Sequence, residues 1–361
     1  MAHKHAAVRV EPDFDTTCVW RAAKISTIDQ LLLSNPTPSV ISLGTCSSNE
    51  LLLIDERKGF GHSHKAWLVA ELLRHHIRSD ALKPGIRVIL RSSGSTAIMM
   101  AEMCARLDIP FAAIVTRTAP DTKKELIRSN GGELIEVEDV KSAYNVEEDH
   151  RFRPGDLVID QFSAEARSFP IKHSPASRML GALKATRGRM PSVIVAAVGT
   201  GTSANSIRLA TSDEHVPVEI VGVDVVGGVF QDYRVLGLRA HTTAPHLVEG
   251  MSLGFVPPSL MRTSLDRFSS YPQEAAIATC HYLRAKLDLC VGPSSGMAIF
   301  GALSEMAAMR HLWDGKLVTS FCYDHGLRYA DTIFDPAFLR DKGLDLGPWI
   351  DKVEQLHGML A

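Results

Sequence analysis

Short apolar runs alternate with longer amphipathic stretches along most of the chain. Runs at 40–43 and 51–54 predict strands. Between Ala66 and Ile77 the apolar residues Trp67, Leu68, Ala70, Leu72 and Leu73 recur at helical spacing. Then comes a regular order: strand 86–90, helix 96–107, strand 111–115, helix 121–129, strand 133–137. Strand 157–160, a helix near 176–186, strand 193–198, a helix from Ser203 and strand 218–225 follow, with a later helix at 297–309. Strand–helix alternation of this kind predicts an α/β fold, its parallel sheets covered by helices on both faces. Ahead of it, residues 1–35 read as an irregular lead and a helical stretch ending at Leu31-Leu32-Leu33, broken by Asn35-Pro36-Thr37-Pro38. Gly227-Gly228 and Pro257-Pro258 mark 226–270 as loop-rich, and no internal repeat interrupts the pattern.

Composition narrows the class. A chain of 361 residues is long enough for two packed domains or one large one. A net charge of −2 gives no general attraction to nucleic acid or an anionic membrane. No apolar run approaches the roughly 20 residues that span a bilayer, and Met1-Ala2-His3-Lys4-His5 lacks the apolar core of a secretory signal. The six cysteines (Cys18, Cys46, Cys104, Cys280, Cys290, Cys322) show no C-x-x-C spacing. That pattern argues against a zinc site or a disulfide framework and for a reducing cytoplasm.

Four segments carry candidate chemistry. Lys65 ends the polar loop Gly61-His62-Ser63-His64-Lys65, just before an apolar helix. A lysine there is either a solvated charge or an amine placed to form a Schiff base. His62 and His64 beside it lack a third ligand for a metal. Ser92-Ser93-Gly94-Ser95-Thr96 joins a strand to a helix start, where backbone N–H groups are left free for a carboxylate or phosphate. Gly199-Thr200-Gly201-Thr202-Ser203 repeats that logic, without the lysine of a P-loop or the spacing of a dinucleotide fingerprint. Gly292-Pro293-Ser294-Ser295-Gly296 precedes the helix at 297–309, where a hydroxyl either caps the helix or meets a buried ring nitrogen. Each segment alone is equally a tight turn with a cap. An aldehyde cofactor bearing a phosphate needs a lysine and an anion cradle together, which makes pyridoxal 5′-phosphate (PLP) the candidate.

The order and spacing of these segments resemble the fold-type II PLP enzymes, related to tryptophan synthase β subunits, and within them the cysteine synthase and cystathionine β-synthase branch. The resemblance runs from about Thr37 to Tyr329. Ser63 and Lys65 match the branch's lysine loop N-P-x-G-S-x-K, and Ser92 to Ala97 is similar to its substrate loop S/T-S-G-N-T-G. Gln161-Phe162 matches a Gln-Phe pair near the substrate carboxylate, and Gly199 to Ser203 resembles the phosphate loop G-T-G-G-T. The segment from Gly250 to Pro257 looks like G-I-G-x-G-F-x-P. Gly292, Ser294, Ser295 and Gly296 match the ring-nitrogen loop G-x-S-S-G, and Asp324 to Tyr329 is similar to D-S-G-x-R-Y. Departures stand out too. Ser95 replaces an asparagine that contacts the cofactor's phenolic oxygen, His62 replaces a glycine, Ala66-Trp67 replaces Asp-Arg, and Thr202 replaces a phosphate-loop glycine. His173-Ser174-Pro175-Ala176 follows H-x-x-T-G-P-E only loosely.

The resemblance implies two domains, each with a mostly parallel sheet flanked by helices. A smaller mobile domain at 51–164 would carry the substrate-carboxylate loop, and 1–50 with 165–361 would form the larger, phosphate-binding domain. Lys65 would hold PLP as a Schiff base and then act as general base. Ser95, Gly199, Thr200, Gly201, Thr202, Ser203 and Ser294 would contact the cofactor; Ser92, Ser93, Gly94, Thr96, Gln161 and Gly250 would contact the substrate. The implied reaction is β-replacement on an activated L-serine, such as O-acetyl- or O-phosphoserine, through an aminoacrylate, in amino-acid biosynthesis with a specialised substrate. β-Elimination by a lyase or dehydratase of the same fold is the alternative, and a homodimer is the usual assembly. His62 and His64, flanking the base, would add a proton relay.

Overall fold

A computed structural model describes residues 16–138, 151–169, 174–238, 246–251, 254–309, 311 and 314–360. Two sheets organise it. The larger has six strands in the order β1-β2-β10-β7-β8-β9, and the smaller has four in the order β5-β4-β3-β6. In the larger sheet, β1 (Ser39–Cys46) runs antiparallel to β2 (Asn49–Asp55). Then β10 (Leu317–Cys322), β7 (Val193–Ala197), β8 (Glu219–Val225) and β9 (Arg267–Tyr271) continue it in parallel. In the smaller sheet, β3 (Val88–Arg91), β4 (Phe111–Thr116), β5 (Glu133–Val137) and β6 (Leu157–Ile159) are all parallel.

Parallel strands are buried on both faces and therefore read as unbroken apolar runs. Accordingly β10 is buried at every position, as β4 is at all but its last. Helices α1 (Thr16–Leu33), α2 (Lys65–Arg78) and α3 (Ser95–Arg106) contribute Ile28, Leu32, Trp67, Leu68, Ile98 and Met99 to one core on the smaller sheet. Its opposite face buries Ile89, Ala112, Ile114, Ile135 and Val137, and α4 (Asp121–Ser129) links β4 to β5. The larger core gathers α5 (Pro175–Arg187), α6 (Thr202–Asp213), α7 (Phe230–Leu236), α8 (Gln273–Leu287), α9 (Pro293–Met309), α10 (Pro336–Asp341) and α11 (Gly347–Gly358) around the six-stranded sheet.

Several expectations need correction. The stretch 226–270 is not all loop, because it holds α7 and most of β9. Helix α9 begins at Pro293 rather than at Met297. Proline's fixed φ suits a first helical turn and its missing N–H costs nothing there, so Ser294 and Ser295 already lie inside the helix. A boundary at residue 51 would cut through β2. That strand is paired on both sides, with β1 and β10, and its Leu51–Ile54 run is buried, so it stays in the larger sheet. Conversely, Ile28 and Leu32 of α1 pack on the smaller core, although 1–50 was expected with the larger.

An internal ion network ties the smaller sheet's edge. Arg87 donates to Asp156 at 2.6 and 3.1 Å, to Glu133 at 2.5 Å and to the carbonyl of Arg151 at 2.8 Å. The Arg87 and Asp156 side chains are only 3% and 4% exposed. Burial pushes the Asp156 carboxyl up, but the Arg87 hydrogen bonds outweigh it and hold the group below its usual 3.8. Removing Arg87 strands a buried carboxylate. Arg87→Ala should therefore cost about 3–5 kcal/mol in urea unfolding at neutral pH. The carboxylate's contribution is complete above pH 3.8 and fades as pH falls through its lowered folded value, so the gap between wild type and variant should narrow in acid. Equal urea midpoints at neutral pH would refute this role.

Candidate active site

The carboxyl ends of parallel strands from both sheets meet at one cavity of about 530 Å³, the position at which open α/β sheets present ligand sites. From the smaller sheet, β3 delivers Arg91 and 92–96, β4 delivers Ile114 and Thr116, and β6 leads to Gln161 and Phe162. From the larger sheet, β7 leads to 199–204, and β10 leads to Tyr323 and Asp324. The loop after β2 brings His64 and Lys65.

The lysine loop is laced to the end of β10. Ser63 and Asp324 form an isolated antiparallel bridge. His64 N–H donates to the Tyr323 carbonyl at 2.9 Å, and His325 N–H donates to the His62 carbonyl at 3.3 Å. Arg328 donates to the Gly61 carbonyl. Arg57 grips Asp55 through two bonds of 2.8 and 2.9 Å and reaches the Cys290 carbonyl at 3.0 Å.

Lys65 opens α2, its amide donating to Ser63 Oγ at 3.3 Å, and its amine donates to Thr200 Oγ1 at 3.5 Å. Loss of water around the amine lowers its pKa to about 8, against a weaker opposing pull from the Asp324 charge. His64 is pushed well below its ordinary value by burial and by the neighbouring lysine. As a neutral ring donating Nδ1–H to the Tyr323 carbonyl at 3.3 Å, it leaves Nε2 as an acceptor. His62 is exposed, turns Nδ1 toward the Arg57 carbonyl at 3.0 Å and does not border the cavity. Among the described residues no cluster of His, Cys, Asp or Glu is arranged to hold a metal.

Across from Lys65, the turn into α6 forms a cradle. Gly201 takes a left-handed conformation (φ +80°) and no side chain caps the helix it starts. The first-turn amides of a helix have no partner within it, and its dipole favours an anion there. Gly199 must be glycine, because a Cβ would stand 1.9 Å from the Gly250 carbonyl oxygen. Gly199, Thr200, Gly201 and Ser203 border the cavity. Thr202 does not; it is 1% exposed and its hydroxyl bonds Thr200 Oγ1 at 2.9 Å. The extra side chain is tolerated because it turns inward and braces the turn. Helix α3 likewise starts from an uncapped Gly94, whose amide donates to Ser92 Oγ at 3.2 Å.

The remaining expected residues gather at the same cavity. Ser92, Ser93, Gly94, Ser95, Thr96, Gln161, Gly250 and Ser294 all border it. Ser294 and Ser295 separate in role: Ser295 Oγ accepts the Tyr323 amide at 2.9 Å, and Ser294 faces the cavity. Ser95 Oγ donates to Asp324 Oδ2 at 2.9 Å. His173, Ser252 and Leu253 lie outside the described residues. Sequence reading missed Arg91, Thr116, His246, Glu249 and Tyr323. Arg91, Thr116 and Tyr323 end or follow parallel strands, a signal available in the pattern itself. A buried lysine whose pKa is lowered to about 8, facing an anion cradle with no side-chain cap, fits a phosphate-bearing aldehyde.

Comparison with known proteins agrees. The chain is 29% identical over 330 residues to L-cysteine desulfhydrase Cds1 of Mycobacterium tuberculosis, covering 90% of this chain and 89% of the relative. It is 22% identical over 315 residues to a cysteine synthase of Staphylococcus aureus, covering 85% and 96%. Among solved structures, O-ureido-L-serine synthase superposes with a TM-score of 0.74 at 21% identity, covering 85% and 95%. A hydrogen sulfide-producing enzyme superposes with a TM-score of 0.72 at 21% identity, covering 85% and 91%. These likenesses carry the fold, that of the fold-type II PLP enzymes. Residues 34–322 match the family described as pyridoxal-phosphate dependent enzyme, and the chain belongs to that family.

Proposed function

We propose that this protein breaks the bond between Cβ and its heteroatom substituent in a serine- or cysteine-type L-amino acid. β-Replacement on an O-acetyl- or O-phospho-L-serine is the first reading. The observation that carries it is the placement of Lys65 opposite two strand–helix turns, one at 92–96 and one at 199–203, around a single cavity. Bound PLP supplies an electron sink for the pair released when the Cα–H bond breaks. The 199–203 turn holds the phosphate through backbone amides and the Thr200 and Ser203 hydroxyls. Ser92, Ser93, Thr96 and Gln161 orient the substrate carboxylate, each charge-assisted bond contributing roughly 1.5–3 kcal/mol. Lys65, neutral when needed, takes the Cα proton.

β-Elimination, releasing sulfide from L-cysteine, is the second reading, supported by the likeness to the desulfhydrase. The two readings share every step up to departure of the β-substituent and differ in whether a second nucleophile enters. The smaller sheet and its helices are proposed to move over the bound substrate, carrying Gly94. Six unpaired thiols support a reducing compartment such as the cytoplasm, and the family resemblance supports a homodimer with small amino acids as its partners. Among the described residues no helix is long and apolar enough to cross a membrane.

Three measurements test this reading. Lys65 is inert as an ammonium and reactive as an amine, so PLP uptake by the apo-protein should accelerate as pH rises through about 8. Each unit below that value should slow it about tenfold; a flat profile between pH 6 and 8 would contradict the assignment. With L-cysteine alone, sulfide and pyruvate indicate elimination, whereas consumption of O-acetyl- or O-phospho-L-serine only with an added nucleophile indicates replacement. Lys65→Ala should slow either by about 10²–10⁴-fold, and inertness to all three donors would refute the proposed reaction. Of the two histidines only His64 borders the cavity, so the relay narrows to it: His64→Gln should slow turnover while His62→Gln leaves it within about twofold. Equal effects would remove His64 from the mechanism.

A further inference from the structure

The chain passes between the two sheets at three places: from α1 to β1, from β2 to α2, and from Phe169 to α5. None of these passages lies in α4, so non-covalent contacts alone hold that helix to the larger sheet. Its first turn makes three of them. Thr122 donates its amide (3.2 Å) and its hydroxyl to Asp331, just after the short turn Gly326–Tyr329. Lys123 donates to the Glu249 carboxylate. The same ammonium lies over the Tyr329 ring, 4.6 Å from its centre, where the ring's electron-rich face attracts a cation.

The ion pair is lopsided. The Lys123 side chain is 1% exposed and that of Glu249 is 36% exposed. Glu249 and Tyr329 border the cavity, whereas Lys123 does not. A buried ammonium depends on its partner, because an unpaired charge there is costly. Water already reaches the carboxylate, so the pair can part when the helix moves outward and carries the ammonium to solvent. Both partners of Lys123 belong to segments that build the site. Val248 and Met251, flanking Glu249 and Gly250, sit in the larger core, and the Gly250 carbonyl lies against Gly199 of the anion cradle. Tyr329 donates its hydroxyl to Asp324 at 2.8 Å, and Asp324 is bridged to Ser63 of the lysine loop.

We propose that Lys123 and Glu249 form a latch that fastens α4 over the cavity and parts to let an amino acid enter or a product leave. The structure holds the latched arrangement. Lys123 performs no chemistry in this role; it is a positioning residue that acts through Glu249 and Tyr329. Shut, the latch keeps water from the reacting atoms, and its release exposes them. Losing it lowers the apparent affinity for an amino acid in proportion to the fraction of molecules left open. The inference rests on the movement proposed above for the smaller sheet and its helices, and not on the choice between replacement and elimination.

The experiment is hydrogen exchange of the holoenzyme, read at the Thr122 amide. A first-turn amide has no partner within its own helix, so its protection reports the contact with Asp331 across the two halves. Lys123→Met strands no charge, because Glu249 is partly hydrated. It and Glu249→Gln should each speed exchange at Thr122 by about tenfold. The double variant should exchange no faster than either single one, as befits one shared contact. Each variant should also bind L-cysteine more weakly while the visible spectrum of its bound PLP stays that of wild type. Unchanged exchange in Lys123→Met overturns the proposal, as do additive effects in the double variant. Acceleration that spreads equally to the β3 amides is general loosening and overturns it too. Should Glu249→Gln fail to fold, Lys123→Met decides alone. A holoenzyme whose spectrum ignores L-cysteine and both serine esters would refute the proposed reaction, while exchange at Thr122 would still judge the latch.

Discussion

The site hangs on the main-chain bridge between Ser63 and Asp324. It joins a loop leaving one strand of the larger sheet to the residue that follows another. Both strands, β2 and β10, are already paired in register, Asp55 lying opposite Cys322. The two exits therefore start side by side, and the bridge keeps them together for several more residues. Backbone bonds from His64 to Tyr323 and from His325 to His62 extend the seam. Arg57 and Arg328 close it with side chains, one on Asp55 and the Cys290 carbonyl, the other on the Gly61 carbonyl. Position of the reactive amine is thus set by sheet register. A one-residue slip between β2 and β10 would turn the alternating side chains to opposite faces and displace Lys65 with them.

Close approach of backbone segments imposes the second constraint. The 199–203 turn lies so near the loop at Gly250 that no side chain fits at Gly199. The same holds for Gly292 beside Asp324 and for Gly296, where a Cβ would stand 2.2 Å from the Ala276 carbonyl. At Gly199 the close approach lies at the cavity itself and leaves the turn's amides, rather than a side chain, to meet an anion; Gly292 and Gly296 let the start of α9 pack tightly against its neighbours. Thr202 shows the limit of that economy. A side chain is accepted in the turn when it points away from the cavity and hydrogen-bonds a neighbour already there.

Much of this was legible in the chain. Strand–helix joints at 92–96 and 199–203 advertise themselves by small and hydroxyl-bearing residues between an apolar run and a helix, and the apolar runs themselves mark both sheets. The rest depends on tertiary proximity. Nothing local in Cys322-Tyr323-Asp324 says that β10 is the neighbour of β2, so the partnership of Asp324 with the lysine loop is invisible in sequence. Arg91 and Glu249 reach the cavity only because their segments end there. β9 was hidden for another reason. Its Arg267-Phe268-Ser269-Ser270-Tyr271 is half-buried throughout, an edge strand without the apolar run that betrays the central ones. The early start of α9 was missed because Gly292 to Gly296 was placed ahead of the helix, whereas Pro293 initiates it.

The cavity must reconcile two opposite electrostatic demands. Lys65 has to lose its charge near neutral pH, which requires a poorly hydrated setting, and the helix N-terminus on which it sits further disfavours a cation. Asp324, bridged to the same loop, pulls the lysine the other way. The two groups take different hydrogen-bond partners. Lys65 is turned to a neutral threonine hydroxyl, while Asp324 accepts hydrogen bonds from the Ser95 and Tyr329 hydroxyls. Had the carboxylate paired directly with the amine, each would have secured the other's charged form, and the amine would have stayed an ammonium far above pH 8. With the amine turned to Thr200 and the carboxylate to Ser95 and Tyr329, loss of water remains the larger influence on the lysine, in a space small enough for one cofactor.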